Sequence, residues 1–591
     1  MNIGLYDEVF LYETGEARLD DVYIRAKNAR AGDLAVDGLI ISPAKQKARL
    51  KIECAYKGKT IAAAEEWVRC GENGSPFSVT LTLDSPRLWY PNGHGEQPLY
   101  TFTVSVFDGG GILSDRYSLT TGIRDVSYRM NDGSPADAYP YTIVINGMKI
   151  YGKGVNMVPL DMEYGTVTAG RYEKFIKLVR NANVNLIRVW GGGLIESDVF
   201  YQLCDRYGIM VFQEFIQSSS GISNLPCVEP GYLDLLEKTC VSAVKRIRSH
   251  ACHVVWSGGN ELQYPGSKPV GYEHENIRLL QRIVKELDPS KLFLPTSASG
   301  PREFLDINKK GENYDVHGPW KFGGVKAHYT IFNRSDCLLH SEFGCDGLAC
   351  LESLKKFLSP ENIGVFNTDN YTWRHHGDWW DTFRRDEKIF GPFESVEDYI
   401  TASQFIQAQA LQYALEANRS RAFQNSGSIV WQANEPFPNV SCTSVIDYYL
   451  RPKLAYYMTG VAYRPVHAAL KYHALVYQPG ELFTGVLRVF NDTHKPVNLA
   501  LDVKFTASGG GCLFSKSYGG VAADRQCGEV EEITFTVPPC KSFEAVIAYD
   551  DGGSRRRSCY LFLVQSADGR CEIEEVKKFL TRNSDAFALA R

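Results

Sequence analysis

The sequence predicts a multidomain protein, part α/β and part all-β, in which a (β/α)8 TIM barrel is flanked by an N-terminal immunoglobulin-like β-sandwich and a C-terminal β-sandwich. Three observations carry this expectation. Residues 1–121 and 461–591 alternate apolar and polar side chains, with no helical period long enough to compete. Between them, over 122–460, short apolar strands alternate with amphipathic helices, as a parallel barrel requires. Finally, 591 residues are too many for one hydrophobic core.

The elements follow in order. Val22-Tyr-Ile-Arg-Ala, Ala48-Arg-Leu-Lys-Ile-Glu-Cys, Phe77-Ser-Val-Thr-Leu-Thr-Leu and Tyr100-Thr-Phe-Thr-Val-Ser-Val106 read as strands with one buried face, and Asp108-Gly-Gly-Gly111 ends the last. Lys149-Ile-Tyr-Gly-Lys-Gly-Val155 reads as the first barrel strand. The helix after it, over 171–181, carries Phe175, Leu178 and Val179 on one face. Leu186-Ile-Arg-Val-Trp190 is the second strand, opening into Gly191-Gly-Gly193. A helix over 196–207 and the strand Ile209-Met-Val-Phe-Gln213 come next. Pro230 suits the first turn of a helix whose Leu233, Leu236, Val241 and Val244 form an apolar stripe. Val254-Val-Trp256 is the fourth strand, followed by a helix over 277–287. Leu292-Phe-Leu-Pro295, Tyr314-Asp-Val-His317 and Cys337-Leu-Leu-His340 are strands five to seven, and a helix over 403–418 precedes Ser428-Ile-Val-Trp-Gln432. A glycine-rich dinucleotide fingerprint does not follow strand one, which argues against a doubly wound sheet. Gly485-Val-Leu-Arg-Val-Phe490, Leu501-Asp-Val-Lys-Phe505, Glu532-Ile-Thr-Phe-Thr-Val537 and Tyr560-Leu-Phe-Leu-Val564 build the second sandwich.

Composition narrows the function. A formal charge of −5 provides no basic field for nucleic acid, and Arg555-Arg-Arg557 is an isolated cluster. Fifteen cysteines without CxxC spacing argue against a disulfide framework or a zinc site and favour a reducing compartment. The start lacks the basic and apolar regions of a signal peptide, and no run of about 18 apolar residues could span a membrane. The expectation is a cytoplasmic protein without membrane partner, with export in a longer precursor left open. The oligomeric state is not legible.

Two carboxylates stand where barrel chemistry happens. Glu261 ends Val254-Val-Trp-Ser-Gly-Gly-Asn-Glu261, and Glu342 ends the apolar run of Leu338-Leu-His-Ser-Glu-Phe-Gly344. From strands four and seven they would face one cavity, the pairing needed to cleave a glycosidic bond. Either residue alone could equally cap a helix or pair with a lysine. Glu261 suits the acid, with Trp256 and nearby aromatic surface expected to raise its pKa by desolvation. Glu342 suits the nucleophile, with Arg188 as its cation. Asn260 is a loop former or a ligand of the sugar 2-hydroxyl. His317 and Trp320 are a pocket wall or, for the histidine, core. Trp431 is core or a stacking platform. Glu214 is expected to orient pocket groups rather than react. Tyr371-Thr-Trp373, Arg374-His-His376 and Trp379-Trp380 rim the cleft or anchor an insertion. Glu261 has no histidine four residues away and Asp315 with His317 is too small a ligand set, so neither a metal nor a cofactor is expected.

Taken together, these segments resemble glycoside hydrolase family 2, most closely its β-mannosidase branch. The resemblance rests on Leu88-Trp-Tyr-Pro-Asn-Gly93 with Gln97-Pro-Leu-Tyr100, Gly122-Ile-Arg124, Ile145-Asn-Gly147 and Gly154-Val-Asn156. It continues through Ile187-Arg-Val-Trp-Gly-Gly-Gly193, Trp256-Ser-Gly-Gly-Asn-Glu261, Ser341-Glu-Phe-Gly344 and Trp431-Gln-Ala-Asn434. It implies a retaining mechanism with Glu261 as acid/base and Glu342 as nucleophile. Asn260 would then touch the 2-hydroxyl, and Arg188, Trp190, His317 and Trp431 would shape the sugar subsite.

Two departures stand out. Such enzymes usually begin with a jelly-roll-like sugar-binding domain, and Met1-Asn-Ile-Gly-Leu-Tyr-Asp resembles the junction that follows it. A truncated coding region, a separate chain supplying that domain and an unusually open pocket are the three expectations. Asn434-Glu435 also stands where the branch usually has Asn-Asp. The expected substrate is a terminal β-mannoside. The alternatives are another family 2 activity (exo-β-glucosaminidase, β-galactosidase) or a catalytically weak carbohydrate-binding protein.

Overall fold

The computed structural model describes residues 5, 9–367, 369–377, 382–523 and 526–587. Seven antiparallel strands open it: Arg18–Asn28, Asp33–Ile41, Gln46–Tyr56, Lys59–Cys70, Ser75–Thr82, Leu99–Phe107 and Leu113–Gly122. The first, second and fifth form one sheet, and the fourth, third, sixth and seventh, in that order, form the other. Their inward residues, among them Val36, Ile52, Phe102 and Val104, make a core of their own. This is the sandwich that the alternation predicts. It is tied to the barrel by hydrogen bonds from Trp89 Nε1 to the Asp205 carbonyl (2.7 Å) and from Arg124 to the carbonyls of Ala251 and His253.

Eight parallel strands form the barrel: β1 (Gly152–Met157), β2 (Leu186–Val189), β3 (Met210–Glu214), β4 (His253–Ser257), β5 (Leu292–Leu294), β6 (Asp315–His317), β7 (Leu339–Phe343) and β8 (Gly427–Val430). Their order is β5-β4-β3-β2-β1-β8-β7-β6, so the seam lies between β5 and β6. Residues 300–305 close that seam: Asp315 N–H bonds the Gly300 carbonyl, and His317 N–H bonds the Glu303 carbonyl at 2.7 Å. The connecting helices include α1 (Ala169–Asn181), α2 (Asp198–Tyr207), α3 (Pro230–Ile247), α4 (Glu275–Leu287), α5 (Ala327–Arg334) and α6 (Val396–Arg419). Thr168 Oγ1 caps α1 by accepting from Arg171 N–H, and Pro230 occupies the first turn of α3.

One boundary differs from the sequence expectation. Met148–Ile150 belongs to a hairpin with Thr142–Ile145, and the first barrel strand begins only at Gly152. The reason is local: Asn146 and Gly147 both take positive φ (51° and 83°), the tight hairpin turn that an Asn-Gly pair favours. That hairpin, with Val126–Arg129, lies at the end of the barrel opposite the chemistry.

The C-terminal sandwich has a three-stranded and a five-stranded sheet, followed by a helix, Ile573–Arg582, that the alternating pattern does not predict. Val576 and Phe579 bury its inner face. Its core is continuous with that of the barrel through Tyr329 of α5, Tyr413 of α6, Tyr472 and Phe562, with ring centroids 4.6–5.0 Å apart. A buried ion cluster reinforces this join. Asp492 of the sandwich meets Lys153 of β1 at 3.1 Å and Arg419 of α6 at 2.9 Å, and each of these side chains is at most 2% exposed. Among the described residues, no helix is long and apolar enough to cross a membrane.

Removing the shared anion leaves two buried cations uncompensated. D492A is therefore expected to cost roughly 3–5 kcal/mol, read as a large fall in the unfolding midpoint. An unchanged midpoint would show that the cluster does not hold the two units together.

Candidate active site

The site is built at the C-terminal ends of the strands around one guanidinium. Arg188, the third residue of β2, is fully buried. It donates to Glu214 of β3 through Nε (3.2 Å) and one terminal nitrogen (2.9 Å), and to Asn260, just past β4, at 2.6 Å. Its other terminal nitrogen reaches Asn156 of β1 and Glu342 of β7, the latter at 3.0 Å. The registers explain the convergence: Asn156 pairs with Arg188 across β1 and β2, and His317 pairs with Glu342 across β6 and β7. Burial opposes the charge of Arg188, but Glu214 and Glu342 outweigh it and hold its proton more firmly than usual.

Glu261 and Glu342 face each other across this cavity. Together with His317 they bring one ligand-type atom each within 4.8 Å of one another. His317 Nδ1 bonds Glu261 at 2.9 Å and lies 3.7 Å from Glu342. Ser219 donates to the second oxygen of Glu261 (2.9 Å), and Trp320 Nε1 donates to Glu342 (2.8 Å). The backbone at Glu261 is in the left-handed region (φ 51°), at a cost of about 1–3 kcal/mol for a residue with a side chain. Its N–H is held by the Ser297 carbonyl at 2.6 Å. Gly259 before it admits no side chain, since a Cβ would stand 2.5 Å from the Gln217 carbonyl oxygen. The Gly-Gly-Asn-Glu run is thus a built turn that aims the carboxylate inward.

The electrostatics differ from one expectation. Trp256 does not wall the Glu261 carboxyl: it stacks on Phe215 and donates to Asp288, within the barrel core. Burial would raise Glu261, but the hydrogen bond and charge of His317, with Ser219 and Arg188, bring it below the usual carboxylate range. Burial raises Glu342 above that range, against His317 and Arg188. Burial would lower His317, but Glu342 and Glu261 together raise it. The Glu261–His317 contact thus favours a carboxylate facing an imidazolium.

Of the residues singled out in the sequence, Glu261, Glu342, Asn260, Arg188, His317 and Trp320 form one hydrogen-bonded network. Trp190 and Trp431 stand at the ends of β2 and β8, edge to face at 5.7 Å, and the buried Nε1 of Trp190 has no hydrogen-bond partner among the described residues. Glu214 accepts from Arg188 and from Gly191 N–H (2.8 Å), an orienting position. Trp373 is buried in a small separate core with Tyr399 and Val440, so it anchors the insertion rather than rimming the cleft. Trp379 and Trp380 lie outside the described residues. Glu435 is buried against Lys453 (3.1 Å). Sequence reasoning missed Ser219 and Glu303, which lie in loops without a motif, and Gln263, which lies in a two-residue strand paired with Lys268–Pro269. It also passed over Asn156, although that residue ends Gly154-Val-Asn156.

A cleft of about 900 Å³ opens beside His317 and Trp320, lined by Phe304, Ile307, Pro319 and Ile331. A smaller cavity of about 190 Å³, lined by Tyr23, Arg124 and Lys291, lies between the first sandwich and the barrel, away from the carboxylates. A second donor set, Asp205, His250 and Cys252, is buried and already satisfied: Asp205 accepts from Cys252 N–H (2.7 Å) and contacts His250 Nδ1 (2.8 Å). At Glu261, His317 and Glu342 the positive charge a metal would bring is supplied by Arg188.

Comparison with known proteins agrees with this architecture. Residues 140–315 match the family model described as "Glycosyl hydrolases family 2, TIM barrel domain", and residues 17–124 match "Glycosyl hydrolases family 2". Over these two segments the chain is similar to glycosyl hydrolases family 2. Among curated relatives, β-mannosidase B of Thermothelomyces thermophilus is 27% identical over 493 residues, covering 77% of this chain and 55% of the relative. That of Emericella nidulans is 26% identical over 508 residues, covering 79% and 57%. The chain thus spans little more than half the length of the curated relatives it matches. Among solved structures, a β-D-mannosidase from Dictyoglomus thermophilum shares the fold with a TM-score of 0.78 at 24% identity, over 93% of this chain and 66% of that one. An exo-chitosanase from Amycolatopsis orientalis does so at 0.76 and 18%, over 94% and 64%.

Truncating the central cation strands two buried carboxylates. R188A is expected to lose roughly 3–5 kcal/mol of stability near neutral pH. Without the arginine, Glu214 and Glu342 have folded pKa values further above their unfolded ones, so the folded state binds the extra protons and stability falls as pH rises. The deficit against wild type should therefore be larger at about pH 8 than at about pH 5 in urea unfolding. An equal loss at both would contradict the assignment of charge.

Proposed function

We propose that this chain hydrolyses terminal, non-reducing β-D-mannose residues with retention of configuration. The observation that carries the reading is the facing pair Glu261 and Glu342, whose oxygens approach within 4.8 Å. That suits a direct attack on the sugar, for which carboxyl groups about 5–5.5 Å apart are typical, better than the wider gap an inverting enzyme leaves for water. The choice of mannose is supported by the relatives, which bear the name β-mannosidase B.

In this mechanism Glu342, held by Arg188 and by the Trp320 indole, attacks the anomeric carbon. The glycosidic oxygen takes a proton from Glu261, which draws that proton across the 2.9 Å contact from His317 Nδ1 and is left a carboxylate beside a neutral imidazole. The bond to the leaving group breaks as the ester to Glu342 forms. Glu261 then removes a proton from water, and the water oxygen displaces Glu342 to release the sugar with its original configuration. Asn260 Oδ1 is committed to Arg188, so its amide nitrogen is the end that meets the 2-hydroxyl. Trp190 and Trp431 wall the ring, and the free Nε1 of Trp190 offers a donor to a hydroxyl. The cleft beside Trp320 receives the leaving group.

A panel of p-nitrophenyl β-glycosides tests this. The β-mannoside should be turned over faster than the β-galactoside, β-glucoside and β-glucosaminide, and E342A should abolish turnover. E261A should cost about 10²–10⁴-fold on a disaccharide and less on the nitrophenyl glycoside, whose leaving group needs little proton. Preference for another glycoside would overturn the sugar, and turnover that survives both substitutions would overturn the mechanism.

A further inference from the structure

Glu303 lies within the segment that closes the barrel between β5 and β6. Its carbonyl accepts the N–H of His317 at 2.7 Å, and the next residue, Phe304, pairs with His317 in parallel register. His317 in turn bonds Glu261. The Glu303 side chain points inward: the residue is 3% exposed, and its Oε2 is buried without a hydrogen-bond partner among the described residues. Gln263, two residues beyond Glu261, is the polar side chain beside this carboxyl and favours its charged form.

Glu214, Glu261 and Glu342 each have a cation in contact, while Asp315 of β6 is held by Ser299 and Ser341. Glu214 and Glu342 share Arg188, and Glu261 has His317. Glu303 has no ion-pair partner among the described residues. Its neighbour Arg302 turns outward onto Glu312 (3.2 Å) and Asp306 (3.7 Å). The charges that reach it are Glu261 past β4, His317 on β6 and Glu342 on β7. Burial and the charge of Glu261 push its carboxyl up to about 7, partly offset by His317. Glu303 is thus neutral when the site is acidic and becomes a third anion as the pH rises.

We propose that Glu303 is a positioning residue for the acid–base step, whose buried negative charge, once formed, retains on the Glu261–His317 pair the proton destined for the leaving group. The Glu303 proton leaves to solvent and no covalent bond changes. What remains is a charge that makes removal of the next proton, from the pair, more costly. The enzyme therefore keeps a protonated donor at higher pH than two carboxylates and a histidine would allow. The inference rests on the reading of Glu261 as the proton donor.

Glu303→Gln keeps the shape and removes the charge. In kcat/KM for an aryl β-mannoside, the upper limb should move to lower pH by about one unit, with the lower limb in place, and Glu303→Asp should restore the upper limb. A uniform loss at every pH, with neither limb moved, overturns the inference and marks Glu303 as structural. A second arm does not need turnover: thermal unfolding of wild type, E261Q, E303Q and the double variant at about pH 8 and about pH 5. A carboxyl held above its unfolded pKa destabilises the fold increasingly as pH rises, so E303Q should gain on wild type towards the higher pH. That gain should shrink in the E261Q background, because the opposing charge is gone. Additive effects at both pH values overturn the inference. Coupled effects with no glycoside turned over sink the proposed function and leave the coupling of Glu303 to Glu261 standing.

Discussion

A guanidinium sealed from water stays charged only where acceptors surround it, and Arg188 has acceptors from four other strands. Burying that cation is costly, and the cost is offset by Glu214, Glu342, Asn156 and Asn260 together rather than by any one of them. The consequence is geometric. Because each acceptor must reach the same planar fork, the ends of β1, β2, β3, β4 and β7 are held in one register, and Glu342 is fixed in the cavity. The pocket is a by-product of satisfying one buried charge.

Around that fixed point the remaining groups divide the work of holding protons. His317 sits between the two carboxylates, nearer Glu261, and their charges favour its protonated form. The strained turn at Glu261 sets its carboxyl at the edge of the cavity while that of Glu342 stays deeper: their side chains are 19% and 5% exposed. In the proposed reading, a group that takes a proton from an incoming water works within reach of solvent. An attacking oxygen works best when water is kept away from it.

Much of this is readable in the residues, for physical reasons. Strands buried on both faces become continuous apolar runs, so Leu186-Ile-Arg-Val and Val254-Val-Trp betray β2 and β4, and an arginine inside such a run must be paired. The carboxylates are visible because they interrupt apolar strands at their exit. Trp256 misleads for the opposite reason: five positions before Glu261 and inside the strand, it packs in the barrel core. Ser219 and Glu303 are invisible because loops have no period, and Gln263 because a two-residue strand is too short to show one. The strand at Met148–Ile150 was recognisable as a strand, but its partner was set by the Asn146-Gly147 turn before it.

The central claim is that Glu342 is the oxygen that bonds the sugar while Glu261 handles the proton. Incubation with a 2-deoxy-2-fluoro-β-mannosyl fluoride, whose fluorine slows the second step, followed by proteolysis and mass spectrometry, tests it directly. The account predicts a fluorosugar adduct on the peptide that contains Glu342. A label on Glu261 or on another carboxylate, or full turnover to an α-configured first product with no adduct, would contradict it.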